Sequence, residues 1–395
     1  MTTPTRQGDR ALRARNAVAA VFALNGFAFA SWVSRIPESR TRLDLTPGQL
    51  GTLLLALSLG SVIALPSAGI WVHRFGAAKV VAAAALLDAV GLGLTGLGAG
   101  AIEDVWVTAG GLFLLGFGSG VWDVAMNVEG AAVEREVGRT IMPRFHAAFS
   151  LGTVLGAGVG AACAGLGVTI PVHLVTVAVV VGLAPLSVVP AFLPAGAEDE
   201  VTEKPRHPLR AWLEPRTLTI GLMVLALALT EGVASDWLAV ALVDGYDLPA
   251  WLGASGFALF VAAMTVGRVG GTVVLDRFGR VPVLWSTMTL AGAGVLVVVL
   301  GQALPVVAVG IVMWGLGASL GFPVGMSAAA DDPEHAAARV SVVSTIGYTA
   351  FLAGPPALGY LGDHVGVLHA LLLVSALLVP SALAVPAARE QAKTG

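Results

Sequence analysis

The 395-residue chain is 56% hydrophobic and only 12% charged, with a mean hydropathy of +0.85 and a formal net charge of −3. Soluble domains carry about 25% charged residues, so this composition excludes a soluble fold and indicates an integral membrane protein. A single cysteine, Cys163, excludes an intramolecular disulfide. Scattered histidines without a CxxC or HExxH motif give no metal site, so we expect neither a metal nor a cofactor.

The chain begins with a polar head, residues 1–16, followed by an apolar run that is predicted to be a first membrane span rather than a cleaved signal peptide. About 20 apolar residues are needed to cross the hydrocarbon of a bilayer. That length predicts an all-α fold of twelve transmembrane helices. The predicted spans are 16–37, 48–72, 78–98, 105–128, 145–167, 171–194, 217–241, 251–275, 281–301, 305–329, 341–362 and 367–388.

The longest polar segment, residues 195–216, lies between the sixth and seventh predicted spans. It predicts a cytoplasmic linker between two six-helix bundles, at 1–194 and 217–395. With the N-terminus inside, only Arg35, Arg40 and Arg42 of the 22 Lys and Arg residues fall on the outer side. Because positive charge concentrates in cytoplasmic loops, we expect both termini in the cytoplasm. The excess of Arg over Lys is typical of a GC-rich bacterial genome, so we expect a bacterial inner membrane.

The two halves share an internal repeat. GIWVHRFGAAKV at 69–80 resembles GTVVLDRFGRVPV at 271–283, so that His73 and Asp276 are 203 positions apart. Asn25-Gly26 followed by Trp32 is repeated as Glu231-Gly232 followed by Trp237. These near-constant offsets predict two pseudo-symmetric six-helix bundles. Parallel repeats of this kind in transporters predict a binding site near the bilayer midplane, where the halves meet.

The repeated loop resembles a motif of the major facilitator superfamily, which reads roughly Gly-x-x-x-Asp-x-x-Gly-Arg-Lys/Arg after span 2, and the resemblance covers nearly the whole chain. The second copy fits except at Thr272, whereas His73 stands where the first copy should have Asp. The resemblance implies that these loops act in the inward/outward switch. His73 is either a pH-sensitive contact there or a solvated loop histidine. The implied switch residues are Gly69, His73, Arg74, Gly76, Asp276, Arg277, Gly279 and Arg280.

The fourth predicted span contains Asp123 and, one helical turn later, Asn127. A carboxylate in a span costs about 2.5–3.5 kcal/mol on insertion scales, so it is predicted to face protein or a water-filled cavity. The alternative is a carboxylate near a helix end that reaches water. Together with FALNGFAFASW at 22–32, this pair resembles the fucose-permease-like branch of the superfamily. That branch has a span-1 aspartate, which is absent from Ser31 to Arg35 here and weakens any expectation of a simple hexose.

Glu231 lies well inside the seventh predicted span, and Asp236 lies nearer its outer end. A carboxyl at that depth can take up and release a proton, as a proton-coupled carrier requires, so Asp123 and Glu231 are the predicted proton-coupling residues. The alternative for Glu231 is a structural ion pair. For Asp236 we weigh a place at the mouth of the substrate site against a group facing water.

Aromatic and polar residues complete the predicted substrate site. Trp32 and Trp237 occupy matching places in the repeats, where a ring suits either a sugar face or an interfacial aromatic belt. Asn25 shares a helix face with Trp32, and Arg35 either pairs with a carboxylate or snorkels to the interface. His146 and Tyr348 are weaker predictions for the cavity lining. Arg268 is predicted to pair with the loop that contains Asp276, eight residues later.

The sequence therefore predicts a monomeric secondary active transporter of a small, sugar-like or other organic solute, working by alternating access and coupled to protons. Its expected partners are the substrate, protons and the lipid bilayer, without nucleic acid. The alternatives are a proton-driven efflux pump for drugs or metabolites and, less favoured, a non-transporting sensor or scaffold. An enzyme is not expected, because the sequence shows no nucleophile–base pair and no P-loop.

Overall fold

A computed structural model describes residues 4–138, 141–193, 208–332 and 335–390. All regular elements among them are helical. In the first half they are α1 (Pro4–Val33), α2 (Ile36–Arg42), α3 (Pro47–Phe75), α4 (Ala77–Leu97), α5 (Val105–Val137), α6 (Met142–Gly165) and α7 (Ile170–Val188). In the second half they are α8 (Pro215–Val233), α9 (Ala239–Tyr246), α10 (Ala250–Phe278), α11 (Arg280–Leu300), α12 (Leu304–Ala318), α13 (Gly321–Ala329), α14 (Ala336–Val365), α15 (Val367–Ala370) and α16 (Leu372–Ala382).

These helices give the predicted twelve spans. Ten helical segments in the described part of the chain are long and apolar enough to cross a membrane. The 30-residue α14 and the shorter apolar segment Val367–Ala382 supply the other two. The prediction of an all-α membrane fold with two pseudo-symmetric bundles is confirmed.

The repeated loop has the same geometry in both halves. α3 and α10 each have 29 residues, and the helices that follow, α4 and α11, each have 21. The residues between them, Gly76 and Gly279, have φ angles of +81° and +74°. Glycine reaches this region without a steric penalty, which explains why both copies of the loop have glycine here.

The predicted span 305–329 matches the apolar segment Leu304–Ala329, which is divided into α12 and α13 at Ser319–Leu320. Pro323 has no N–H with which to close a helical bond to the carbonyl of Ser319. The Nε of Arg268 donates to that carbonyl instead, at 3.4 Å. A break of this kind is tolerated at membrane depth when another group satisfies the freed carbonyl. A second irregularity, the π-helical turn Ala234–Leu238, separates α8 from α9.

The described residues form two compact units. The first contains α1 to α7 and the start of α10 (Pro249–Ser255), and the second contains the remaining helices. Most of the predicted linker lies outside the described residues. Its described part is a short 3-10 helix, Pro208–Leu213, followed by the start of α8. The boundaries at 194 and 217 therefore stay predictions.

Close helix packing depends on small residues in each unit. In the first unit, a Cβ added to Gly152 on α6 would overlap the backbone carbonyl of Ala23 on α1. On the same helix, a Cβ on Gly158 would meet nothing within 4 Å. Small residues let membrane helices approach to backbone contact, and that contact replaces the hydrophobic driving force that lipid removes.

We therefore expect Gly152→Ala to destabilise the protein by about 1–3 kcal/mol, the usual cost of overpacking, because a backbone carbonyl cannot rotate away. Gly158→Ala is the matched control on the same helix and should be neutral or slightly stabilising. Thermal unfolding of the two variants in detergent, followed by tryptophan fluorescence, checks this. Equal melting temperatures for the two variants would contradict the close α1–α6 contact.

Candidate functional site

The second unit contains an ion pair within its helices. Nη2 of Arg268 on α10 lies 2.8 and 2.9 Å from the two carboxylate oxygens of Glu231 on α8. The side chain of Glu231 is 25% exposed and that of Arg268 is 30% exposed, so the pair is only partly enclosed by protein. Since Arg268 also bonds the carbonyl of Ser319, one guanidinium joins α8, α10 and the α12–α13 break.

The predicted pairing of Arg268 with the Asp276 loop is wrong. Asp276 is exposed near the end of α10, whereas the guanidinium of Arg268 is directed to α8. The two carboxylates lie in different environments, which explains which of them pairs with Arg268. Asp276 can be solvated, but the charge on Glu231 lies inside a span and needs a partner, and charged residues in spans pair with one another.

Aromatic side chains lie on α13 and α14 of the same unit, and one of them packs against α8 at the residue after Glu231. The ring of Phe351 would touch a Cβ built on Gly232, the residue after Glu231, at 3.3 Å. The ring centroid of Tyr348 is 6.3 Å from that of Phe351 and 6.4 Å from that of Phe322 on α13. All three aromatic residues are partly exposed. The second unit therefore has partly exposed aromatic surface that packs against α8 one residue after Glu231.

Asp236 and Trp237 lie in the π-helical turn that follows α8. Trp237 is fully buried, and its Nε1 has no hydrogen-bond partner among the described residues. Asp236 is half-buried. Single π turns inside α-helices occur frequently at functional sites.

In the first unit, Asp123 and Asn127 lie side by side on α5. Nδ2 of Asn127 donates to the backbone carbonyl of Asp123 at 2.8 Å and to its Oδ1 at 3.2 Å. Both side chains are half-buried. One turn before them, the Ser119 hydroxyl donates to Oδ1 of Asp88 on α4 at 2.5 Å. The sequence reasoning passed over Asp88, although a single carboxyl in the predicted span 78–98 is the same signal that identified Asp123.

The residues predicted near the end of the first span are more buried than expected. Trp32 and Asn25 are buried, and Nδ2 of Asn25 has no partner in the described part of the chain. Of the two alternatives for Arg35, snorkelling to the interface is wrong, because its side chain is 0% exposed, and pairing with a carboxylate is observed. Its Nη2 donates to the carbonyl of Val168 at 2.6 Å and pairs with Glu38 at 2.7 Å. A carbonyl and a carboxylate inside the unit replace water.

One further predicted residue, His146, has an aromatic contact. His146 is exposed and meets the ring of Phe22 edge-on, with the ring centroids 5.3 Å apart. The first unit therefore places its predicted residues in three places, around Asp123, around Trp32 and at His146. No group of three or more His, Cys, Asp or Glu side chains that could hold a metal occurs within the described ranges.

The switch-loop residues repeat a local contact in both halves. The guanidinium of Arg74 lies 5.5 Å from the ring centre of Phe75, and that of Arg277 lies 5.3 Å from that of Phe278. His73 and Asp276 are exposed, and Gly69 has open space around its Cα.

Arg280 of the second loop makes an ion pair with a residue outside the loop. Its Nη1 lies 2.7 Å from Oδ1 of Asp331, after α13, and Nη2 of Arg216 lies 2.9 Å from the other oxygen of the same carboxylate. Asp331 was not predicted, because its partners are 51 and 115 positions away in the chain.

A neighbouring ion pair joins the starts of α8 and α14. Nε of Arg339 donates to Glu214 at 2.6 Å, and the hydroxyl of Thr217 donates to the same carboxylate at 2.8 Å. Burial alone raises the pKa of the Glu214 carboxyl, but these hydrogen bonds outweigh burial and lower the pKa from its ordinary value of 4.5. The bond to Glu214 is the main cause that raises the pKa of Arg339.

Comparison with known proteins identifies relatives over nearly the whole chain. The model of the Major Facilitator Superfamily matches residues 17–275 and 256–394. The uncharacterized transporter y4wD of Sinorhizobium fredii is 32% identical over 370 residues, which are 91% of this chain and 96% of that protein. An uncharacterized MFS-type transporter of Yersinia pestis is 29% identical over 87% of each chain. Among solved structures, the nucleoside transporter NupG superimposes with a TM-score of 0.76 at 13% identity, covering 95% of this chain and 98% of NupG.

The Glu214–Arg339 pair predicts how the folding stability of the protein depends on pH. Because the pKa of Glu214 is depressed in the folded state, its stabilisation is present above pH 4.5 and is lost as the pH falls through the lower, folded pKa. We expect Glu214→Gln to lower stability at neutral pH by a few tenths to about 1 kcal/mol, with a smaller difference from the parent protein in acid.

Melting temperatures of parent and variant over a pH series measure this difference. Glu103→Gln is the control, because the pair of Glu103 with Arg42 is longer, at 3.3 Å, and about half-exposed on both sides. A Glu214→Gln deficit that stays constant into acid would contradict the assignment.

Proposed function

Because the chain belongs to the major facilitator superfamily and is a secondary transporter, we propose that it moves a small organic solute by alternating access, driven by protons. Glu231 and Asp123 are the proposed proton-coupling residues. The excess of Lys and Arg on one side supports an orientation with both termini in the cytoplasm.

The Glu231–Arg268 pair is the observation that carries this proposal. Two opposite charges that are partly exposed inside spans are costly to keep, and intramembrane ionisable residues mark substrate and proton paths. When Glu231 takes up a proton, its negative charge is removed and Arg268 loses its ionic partner on α8. The bond from Arg268 to the Ser319 carbonyl then connects α10 with the α12–α13 break. Protonation of one carboxyl is therefore expected to loosen the joint between three helices, which is what coupling requires.

The surroundings of the pair favour a solute with both polar groups and a flat or apolar face. Phe322, Tyr348 and Phe351 offer partly exposed rings, and Phe351 packs against Gly232, the residue after Glu231. In the first unit, Asp123 and Asn127 offer a carboxylate and an amide suited to hydroxyl groups. Sugars and nucleosides have this combination. NupG, which is a nucleoside transporter, shares only the fold at 13% identity, so nucleosides enter as one class to test.

Efflux of apolar or cationic compounds is the second proposed function. The second unit contains an apolar groove of about 630 Å³ between α8, α14 and α16. Leu222, Leu225, Ala353 and Leu377 are among the residues that line it. Such a surface suits lipophilic compounds, and the same carboxylates would serve in proton antiport. A sensor or scaffold without transport has no observation in its favour.

A ligand panel separates these functions. We expect the purified protein to gain thermal stability with a monosaccharide, a deoxysugar or a nucleoside, because a ligand that binds only the folded state raises the melting temperature by mass action. The effect of a symported solute should strengthen in mild acid. Stabilisation by lipophilic cations alone would contradict the proposed solute class and favour efflux.

Charge-neutralising variants test the coupling. With the panel's best solute, Glu231→Gln and Asp123→Asn should lower proton-driven accumulation in proteoliposomes about 5- to 150-fold, the range of a 1–3 kcal/mol coupling free energy. Glu103→Gln makes the same chemical change in an exposed pair outside the spans and should leave accumulation unchanged. Full gradient-driven accumulation by both neutralised variants would show that other groups carry the proton.

A further inference from the structure

A carboxyl group that has no role in the proposed function is buried between α4 and α5. The side chain of Asp88 is 0% exposed. Its Oδ1 accepts a hydrogen bond of 2.5 Å from the hydroxyl of Ser119, and its Oδ2 has no partner among the described residues. An isolated buried carboxylate is strongly disfavoured in hydrocarbon, so this group needs either a counter-charge or a proton.

A counter-charge is absent from the described surroundings. Asp88 makes no ion pair there, and Ser119 is its one hydrogen-bonding side chain. On the α7 side, the neighbouring residues of α4, Leu86 and Ala89, face Gly182. The described titratable side chains of the helices packed against α4 lie further along those helices. They are Asp123, Glu129, Glu134, Arg135 and Glu136 on α5, His173 on α7, His73 and Arg74 on α3, and Arg10, Arg13 and Arg15 on α1.

The duplicated second half provides an internal control for the packing. Gly118 lies against the backbone of Asp88, and its repeat counterpart Gly317 lies against the backbone of Ala291, 203 positions after Asp88. The counterpart of Ser119 in the same register is Ala318. Both alanines are buried. The same helix contact is therefore built in the second unit with two methyl groups, so packing does not require the carboxyl or the hydroxyl.

Ser119 connects this group to the polar face of α5. Its side chain is half-buried, whereas Asp88 is fully enclosed. Ser119, Asp123 and Asn127 follow one another at four-residue steps and so share one face of the helix. A hydroxyl can donate and accept at once, which makes Ser119 the connection between the enclosed carboxyl and that face.

We propose that Asp88 is a further proton-binding site of this carrier, loaded and unloaded through the hydroxyl of Ser119. In the loading step, Ser119 Oγ gives its own hydrogen to the Asp88 carboxylate and takes a proton from the protonated carboxyl of Asp123. One O–H bond forms on Asp88, the hydroxyl of Ser119 is restored, and Asp123 becomes a carboxylate. Ca²⁺ or Mg²⁺ is the wrong ligand, because among the described residues only the carboxylate and one hydroxyl oxygen converge here, and these ions take six or more oxygens.

A role of the Asp88 proton in transport rests on the proposed function. Binding of the proton to Asp88 does not, so proton binding is measured first. Infrared spectra of the protein in lipid are recorded while the bulk pH is lowered from neutral to acidic. We expect the parent protein to show the carbonyl-stretch band of a protonated, water-shielded carboxyl, and Asp88→Asn to lose that band. Ser119→Ala should keep the band but slow its loss and return after a pH jump.

Two further variants serve as a control for the infrared band and as a substitute in case Asp88→Asn does not fold. Glu103→Gln, in an exposed pair, should leave the shielded band intact. The double variant Asp88→Ala with Ser119→Ala copies the Ala291–Ala318 contact and is expected to fold even if Asp88→Asn does not. A shielded-carboxyl band that persists unchanged in Asp88→Asn or in the double variant would overturn the proposal. Loss of the band with unchanged proton-driven uptake would keep the proton site and exclude it from the coupling.

Discussion

The structure depends on one constraint, which is that polar groups inside a membrane must find partners within the protein. Arg268 satisfies this constraint twice, by pairing with Glu231 and by bonding the Ser319 carbonyl that Pro323 leaves free. Arg35 satisfies it only in part, because its Nη2 bonds Val168 and Glu38 whereas its buried Nε and Nη1 have no partner among the described residues. In each case, a charge that costs free energy in hydrocarbon connects elements that lie far apart in the sequence. The charged groups therefore determine which helices are joined and where a change of protonation can act.

The duplication makes the distribution of polar groups informative. The two halves share helix lengths, the positive φ of Gly76 and Gly279, and the arginine–phenylalanine contact of each loop. They differ in their intramembrane charges. In the second half, Glu231 is paired with an arginine, whereas the described partners of Asp88 and Asp123 in the first half, on α4 and α5, are a hydroxyl and an amide. Since the shared features are enough to build each bundle, the differences point to function.

Much of the fold could be predicted because bilayer thickness fixes the length of a span and because the repeated loop fixes the register of the two halves. The Asp123–Asn127 contact followed from helical spacing alone. The partner of Arg268 did not, because spacing along one helix favours Asp276, and only tertiary packing brings α8 within reach. The break at Ser319 had a local signal in Pro323, and Asp88 had one in its position. In both places the surrounding apolar residues predict an uninterrupted span, and that prediction outweighed the single proline or aspartate.

The central claim is that protonation of Glu231 couples the proton gradient to movement of the solute. Exchange of labelled for unlabelled solute across a membrane requires binding and reorientation but no net proton movement, whereas accumulation against a gradient requires coupling. The most direct measurement compares both activities for Glu231→Gln in the same proteoliposomes. The account predicts that exchange is retained and gradient-driven accumulation is lost. Retention of both activities would contradict it, because the coupling proton would then be carried elsewhere.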